Sequence, residues 1–274
     1  MQLTLGHRTL IMGILNITPD SFSDGGTLLE PATLEERIRE MIAGGADILD
    51  VGGESTRPFA AAVPLEEELA RVLPAIRCIR HVHAGIPVSI DTTKAAVARA
   101  ALAAGADMVN DISALRQDPA MIDVVREHDG PVIIMHMQGS PRDMQLNPSY
   151  GDVVAEVRDF LAERRDWLVA HGVAAERVVL DPGIGFGKSV EHNLQLLARL
   201  GDLRPLGQPI LVGHSRKSFL GKLLDLEVGR RDEATAVLSA ICALRGADIV
   251  RVHDVPATRR ALLLAEAIRR AECS

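Results

Sequence analysis

The chain has 274 residues, 47% hydrophobic and 3% aromatic, with a formal charge of −7. That length suits one large α/β domain, whose core needs no disulfide or metal staples. The acidic balance and the few aromatic rings exclude a basic nucleic-acid face and the stacking platform of a single-strand binder.

From the N-terminus, residues 9–15 form an apolar run read as the first strand. Arg8 precedes it, but Asn16 and Asp20 interrupt the hydrophobicity and no small-residue cleavage pattern follows. Neither a signal peptide nor a membrane span is expected. A polar loop over residues 16–31 leads to a helix starting at Thr33, with Glu36 completing a capping box. Residues 46–51 are the second strand and 52–63 a second long loop. Pro64 suits the first helical position before Leu65–Val82, and Pro74 inside that helix should kink or split it. Residues 87–90, 107–109 and Val132–Met135 read as strands three to five. A long helix over residues 152–171 follows. Residues 178–180, 209–212 and 248–252 are strands six to eight. The triplets Gly45-Ala46-Asp47, Gly105-Ala106-Asp107 and Gly246-Ala247-Asp248 each close a helix and precede a strand, an echo that fits repeated units.

Each strand ends in a polar residue: Asn16, Asp50, Asp91, Asn110, His136, Asp181, His214 and His253. Continuous apolar strands require a sheet covered on both faces. Eight polar endings favour a closed (β/α)8 TIM barrel, one domain over residues 1–274, whose strand ends share the face where barrel active sites lie. An open doubly wound sheet is the competing topology.

The stretch 180–189, Leu-Asp-Pro-Gly-Ile-Gly-Phe-Gly-Lys-Ser, resembles a phosphate loop. Proline at 182 occupies the position where such a loop needs glycine, and no dinucleotide-type spacing exists, so a nucleotide reading fails. Asp181 is either a turn-former before Pro-Gly or a carboxylate that accepts two hydrogen bonds from a guanidine-like heterocycle edge. The run His214-Ser215-Arg216-Lys217 after strand seven, with Arg251 and His253 on one face of strand eight, favours an anion site. Asn16 is either a turn residue or an oxygen donor to a hard cation such as Mg2+. His81 and His83 end a helix, while His7, His128, His171 and His192 read as surface or turn residues. No histidine shows zinc spacing. Cys78, Cys242 and Cys273 are odd in number and scattered, which favours a reducing compartment and excludes a disulfide framework.

Taken together, the segments 12–26, 50–58, 88–92, 110–113, 135–139, 181–188, 213–219 and 251–254 resemble the dihydropteroate synthase family of pterin-binding barrels over essentially the whole chain. The resemblance implies condensation of 6-hydroxymethyl-7,8-dihydropterin pyrophosphate with p-aminobenzoate, giving dihydropteroate and pyrophosphate in folate biosynthesis. It implies Mg2+ as cofactor with Asn16 as its ligand, a cytoplasmic homodimer, and no nucleic-acid or membrane partner. It makes Asp91, Lys217 and Arg251 catalytic. Asp91, Asn110, Met135, Asp181, Phe186 and Lys217 would bind the pterin. Asn16, Thr56, Arg57, Arg251 and His253 would bind the pyrophosphate. Phe22, Thr56, Pro58, Phe186, Ser215 and Arg216 would flank the p-aminobenzoate, which the long loops are expected to admit after the pterin. Two positions depart from the family pattern: Phe59 replaces a usual glycine, and His214 replaces a small residue or leucine. The alternatives are a non-catalytic pterin-binding paralogue and a methyltetrahydrofolate–corrinoid methyltransferase.

Overall fold

The computed structural model describes residues 8–18, 31–55, 62–140 and 144–272. Eight parallel strands alternate with helices: β1 (Leu10–Asn16), β2 (Ile48–Gly52), β3 (Val88–Asp91), β4 (Met108–Asp111), β5 (Val132–Met135), β6 (Val178–Asp181), β7 (Leu211–Val212) and β8 (Ile249–Val252). Among the described residues, nine α-helices accompany them: α1 (Pro31–Ala43), α2 (Leu65–Val82), α3 (Ala95–Ala103), α4 (Met121–Glu127), α5 (Val153–Ala170), α6 (Val190–Ala198), α7 (Ser218–Leu224), α8 (Asp232–Leu244) and α9 (Val255–Glu272).

The strands pair in sequence order, and β8 returns to β1. A parallel bridge between Leu180 and Ile210 joins β6 to β7, so the ring closes. That closure rules out the open doubly wound sheet. Two apolar layers result. Leu10, Met12, Ile48, Met108, Ile133, Val179, Leu211 and Ile249 plug the barrel. The alternate strand residues, such as Leu49, Val88, Val109 and Ile134, pack outward against the helices.

The Gly-Ala-Asp echo has a physical origin. The three glycines take positive φ (99°, 113° and 99°), which ends a helix at no steric cost. Each following aspartate then accepts a backbone N–H from the adjacent strand: Asp47 from Ile11 at 2.9 Å, Asp107 from Val88 at 2.8 Å, Asp248 from Ile210 at 2.8 Å. Arg8, Arg80 and Arg204 pair with these same carboxylates. The repeat therefore staples the barrel floor, opposite the polar strand ends.

Two local expectations are corrected. Helix α1 begins at Pro31, so Thr33 lies inside its first turn rather than at its start. Proline fits there because the first-turn N–H groups have no intrahelical partner. Helix α2 is not split at Pro74, and Pro64 is its N-cap rather than its first residue. Pro74 and Ala70 are both exposed, so the carbonyl that proline leaves without a donor faces water. Asp152 caps α5, accepting from the N–H groups of Val154 and Ala155.

Candidate active site

Two residues beyond the apolar plug, on the same face of each strand, the barrel interior turns polar. Asp50 follows Ile48, Asn110 follows Met108, Asp181 follows Val179 and Arg251 follows Ile249. Asp91 sits beside Asn110 in the β3–β4 register. The strand pleat thus sets these groups in one ring at the barrel mouth.

Arg251 links the ring. Its Nε donates to Oδ2 of Asp50 at 2.6 Å and its Nη2 to Oδ2 of Asp91 at 2.6 Å. Asn110 Nδ2 donates to both Asp50 oxygens at 3.4 Å. Burial lowers the Arg251 pKa, but Asp50 and Asp91 outweigh it and raise the net value. Burial pushes the Asp91 carboxyl up to about 7; Arg251 opposes the rise, and Asp50 adds to it. Asp181 Oδ1 accepts from the Gly183 N–H at 2.7 Å, while Oδ2 stays beside Gly213. Burial raises its pKa to about 6, against the pull of the Gly183 hydrogen bond and the Lys217 charge. Burial and then the nearby Arg251 bring Lys217 down to about 8.

Lys217 also lies over the Phe186 ring, 3.8 Å from its centroid, as a cation–π pair. Phe186 packs with Ile112, Met135, Met137 and Met144 in an apolar patch of the mouth. A flat, polar-edged heterocycle matches such a site, with a soft apolar floor and carboxylates at the rim.

His253 and Ser215 form a second cluster. Ser215 Oγ accepts from the His253 backbone N–H at 3.1 Å and lies 2.9 Å from Nδ1. Assigned from this pattern, Nδ1 accepts the hydroxyl proton, leaving Nε2–H free to donate. Burial, then the Arg216 and Arg251 charges, holds the imidazole down to about 3. His253 therefore offers an anion a neutral donor, and the cation role read from the sequence falls to Arg251. Arg216 is anchored to Asp232 by two bonds, at 2.6 and 2.7 Å.

The structure brings Asn16, Asp91, Asn110, Met135, Asp181, Phe186, Ser215, Lys217, Arg251 and His253 to the barrel mouth. Arg216 leans from it toward α8. Phe22, Thr56, Arg57 and Pro58, with the departing Phe59, lie outside the described residues. His214 belongs to the packing: Nε2 lies 2.9 Å from Ser239 Oγ and 3.1 Å from the Thr235 carbonyl, tying the end of β7 to α8. Sequence reasoning gave no role to Asp50, although its place at a strand end was visible. It also missed Lys94, which joins Glu54 to the buried Glu68, itself bonded to Thr92 at 2.7 Å.

Among the described residues, no three His, Cys, Asp or Glu side chains cluster as metal ligands. However, a Cβ on Gly52 would come within 3.3 Å of Asn16 Oδ1 and 3.8 Å of Asp91 Oδ2. Glycine leaves that oxygen-lined space open. It fits Mg2+, which takes few protein oxygens and fills its shell with phosphate and water.

Residues 12–253 match the family model described as pterin binding enzyme. The chain is 48% identical to the dihydropteroate synthase of Synechocystis sp. over 97% of its own length and 92% of that protein. It superposes on the Yersinia pestis dihydropteroate synthase solved as a sulfonamide drug complex, with TM-score 0.92, 43% identity, and coverage of 98% of this chain and 97% of that one. The Xanthomonas albilineans dihydropteroate synthase in complex with 7,8-dihydropteroate gives TM-score 0.86 and 45% identity, covering 96% and 94% of the two chains.

Proposed function

The chain belongs to the pterin-binding enzyme family and, within it, to the dihydropteroate synthases, and we propose from that premise how its own residues divide the reaction. The enzyme joins 6-hydroxymethyl-7,8-dihydropterin pyrophosphate to p-aminobenzoate, releasing 7,8-dihydropteroate and pyrophosphate for folate biosynthesis.

The pterin lies on the Met135 and Phe186 patch, with its guanidine-like edge donating to Asp181 and its remaining polar atoms meeting Asn110 and Lys217. A charge-assisted bidentate contact of that kind is both strong and selective. The observation that carries this placement is the second oxygen of Asp181, which lies beside Gly213 while the first is held by Gly183. The pyrophosphate lies toward Arg251 and His253; the family resemblance adds Thr56 and Arg57, which lie outside the described residues. Asn16 would hold Mg2+ there, whose chemistry is to neutralise charge on the departing pyrophosphate.

The bond from the pterin methylene to the pyrophosphate oxygen breaks as Arg251 and the His253 Nε2–H meet the oxygen's growing charge. The methylene left behind is cationic and conjugated with the pterin ring. Asp91 and Asp181 stabilise that charge in a site of low dielectric. The arylamine nitrogen attacks it and then loses a proton, so no strong general base is required. Phe22, Thr56, Pro58, Phe186, Ser215 and Arg216 would frame the arylamine.

The enzyme works as a cytoplasmic homodimer in this reading. Support for the dimer comes from exposed apolar side chains on neighbouring helices: Val237, Ile241 and Leu244 on α8, and Leu263, Leu264 and Ile268 on α9. No helix among the described residues is long and apolar enough to cross a membrane. A crystal structure with bound pterin pyrophosphate tests the placement. The pterin edge is expected within hydrogen-bond distance of Asp181 and Asn110; pterin density away from both would refute it.

A further inference from the structure

Lys188 ends the Gly-Phe-Gly-Lys-Ser stretch that resembles a phosphate loop, yet its side chain turns into the protein and is 3% exposed. Its Nζ lies 3.0 Å from His136 Nδ1, 2.9 Å from the Phe186 carbonyl and 3.4 Å from the His136 carbonyl. Burial brings the Lys188 amine down to about 7, with the Asp181 charge opposing; its ammonium form carries three donors, and these three acceptors match them in number. The acceptors belong to two different loops. His136 leaves β5, whereas Phe186 lies in the loop after β6, whose root is Asp181.

The two loops are pressed together along their length. A Cβ at Gly183 would collide with the His136 carbonyl, and one at Gly187 with the Gln138 carbonyl. The His136 N–H donates to the Asp181 carbonyl at 3.0 Å. The His136 ring stands edge-on to Phe160, 4.9 Å between centroids, which fixes its orientation. Burial, reinforced by the Lys188 charge, holds that imidazole down to about 3, so it remains neutral and able to accept. A loop this rich in glycine has little intrinsic preference for one conformation. Something outside its own backbone must choose the one that aims Asp181 and seats Phe186.

We propose that Lys188 is a positioning residue: its ammonium clasps the β5 and β6 loops together and so presets the Asp181 carboxylate and the Phe186 ring for the pterin. This rests on the reading of the Asp181 pocket as the pterin site. Lys188 touches no reacting atom. It acts through backbone carbonyls, and its effect is preorganisation of a site that would otherwise have to be ordered by the ligand.

The test uses the full-length enzyme and three variants: K188M, which keeps length and apolar bulk but has no donor; H136F, which keeps the ring packing but loses Nδ1; and the double variant. Calorimetry measures the affinity for 6-hydroxymethyl-7,8-dihydropterin pyrophosphate, and 13C-methyl NMR reports Met135 and Met137 in the unliganded protein. K188M is expected to weaken pterin affinity by roughly tenfold or more, since small misplacements in a preset site are costly. At saturating pterin its KM for p-aminobenzoate should rise by less than the pterin affinity falls, since Phe186 borders both sites whereas Asp181 serves the pterin alone. H136F should weaken pterin affinity less, and the double variant should be no worse than K188M, because both changes break one linkage. The Met135 methyl resonance should move in each variant. Wild-type pterin affinity with an unmoved Met135 resonance in folded K188M would overturn the clasp, as would strict additivity in the double variant. If K188M does not fold, wild-type affinity in H136F overturns it alone. Wild-type pterin affinity in D181N would instead sink the pocket assignment, and the clasp with it.

Discussion

Asp181→Asn isolates the contact on which pterin recognition depends. The side chain is 6% exposed, and its Oδ1 already accepts the Gly183 N–H at 2.7 Å. Asparagine has one acceptor oxygen, and the Gly183 donor claims it. The amide NH2 is then forced into the place of Oδ2, where it meets the donor edge of the pterin. One charge-assisted bond is lost and two donors face each other, a cost of about 1.5–3 kcal/mol. Pterin affinity should therefore fall roughly ten- to a hundredfold by calorimetry at pH 8. Folding should not suffer. Burial raises the Asp181 pKa in the folded state to about 6, so the stability tied to its proton is present at low pH and lost as pH rises through 6. Above that pH asparagine removes the cost of a buried charge, and the melting midpoint of D181N should equal or exceed wild type. A folded D181N protein with wild-type pterin affinity would refute the assignment.

The wild-type enzyme should lose pterin affinity as pH falls through about 6, because protonated Asp181 cannot accept two hydrogen bonds; D181N should lose that part of the limb and keep only what Asp91 contributes near 7, and an identical limb in both would assign it to another group. Asp50→Asn halves the counter-charge around Arg251 while keeping one acceptor for its Nε, at a cost of about 1.5–3 kcal/mol. For a chain of this length calorimetric melting should drop roughly 3–5 °C, and an unchanged midpoint would show that Asp91 alone satisfies Arg251. Ile241→Asp with Leu264→Asp places charges on the apolar faces of α8 and α9. Light scattering should then give the monomer mass where the wild type gives twice it, and a dimer surviving both changes would place the interface elsewhere.

The barrel was legible because parallel strands covered on both faces must be continuous apolar runs, and eight of them end in polar residues. Strand ends shifted by a residue or two where only pairing decides them: β2 runs to Gly52 because Gly52 pairs with Asn16 and Asp91. The capping box at Thr33 failed because the local pattern cannot show that the preceding proline already starts the helix. Asp181, Lys217 and Arg251 stood out through their strand-end and loop positions. The pairing of Asp50 with Arg251 did not, since 201 residues separate them and only barrel closure brings them together. Lys188 was visible only as part of a phosphate-loop lookalike. That its ammonium turns inward to carbonyls depends on the fold of two loops, which no spacing rule encodes.

Steady-state turnover tests the central claim most directly. Purified enzyme, dihydropterin pyrophosphate, p-aminobenzoate and Mg2+ should yield 7,8-dihydropteroate and pyrophosphate in equal amounts, with turnover abolished by excess chelator and restored by added Mg2+. Pterin binding without product would mark the chain as a non-catalytic binder, and undiminished turnover in chelator would contradict the role given to Asn16.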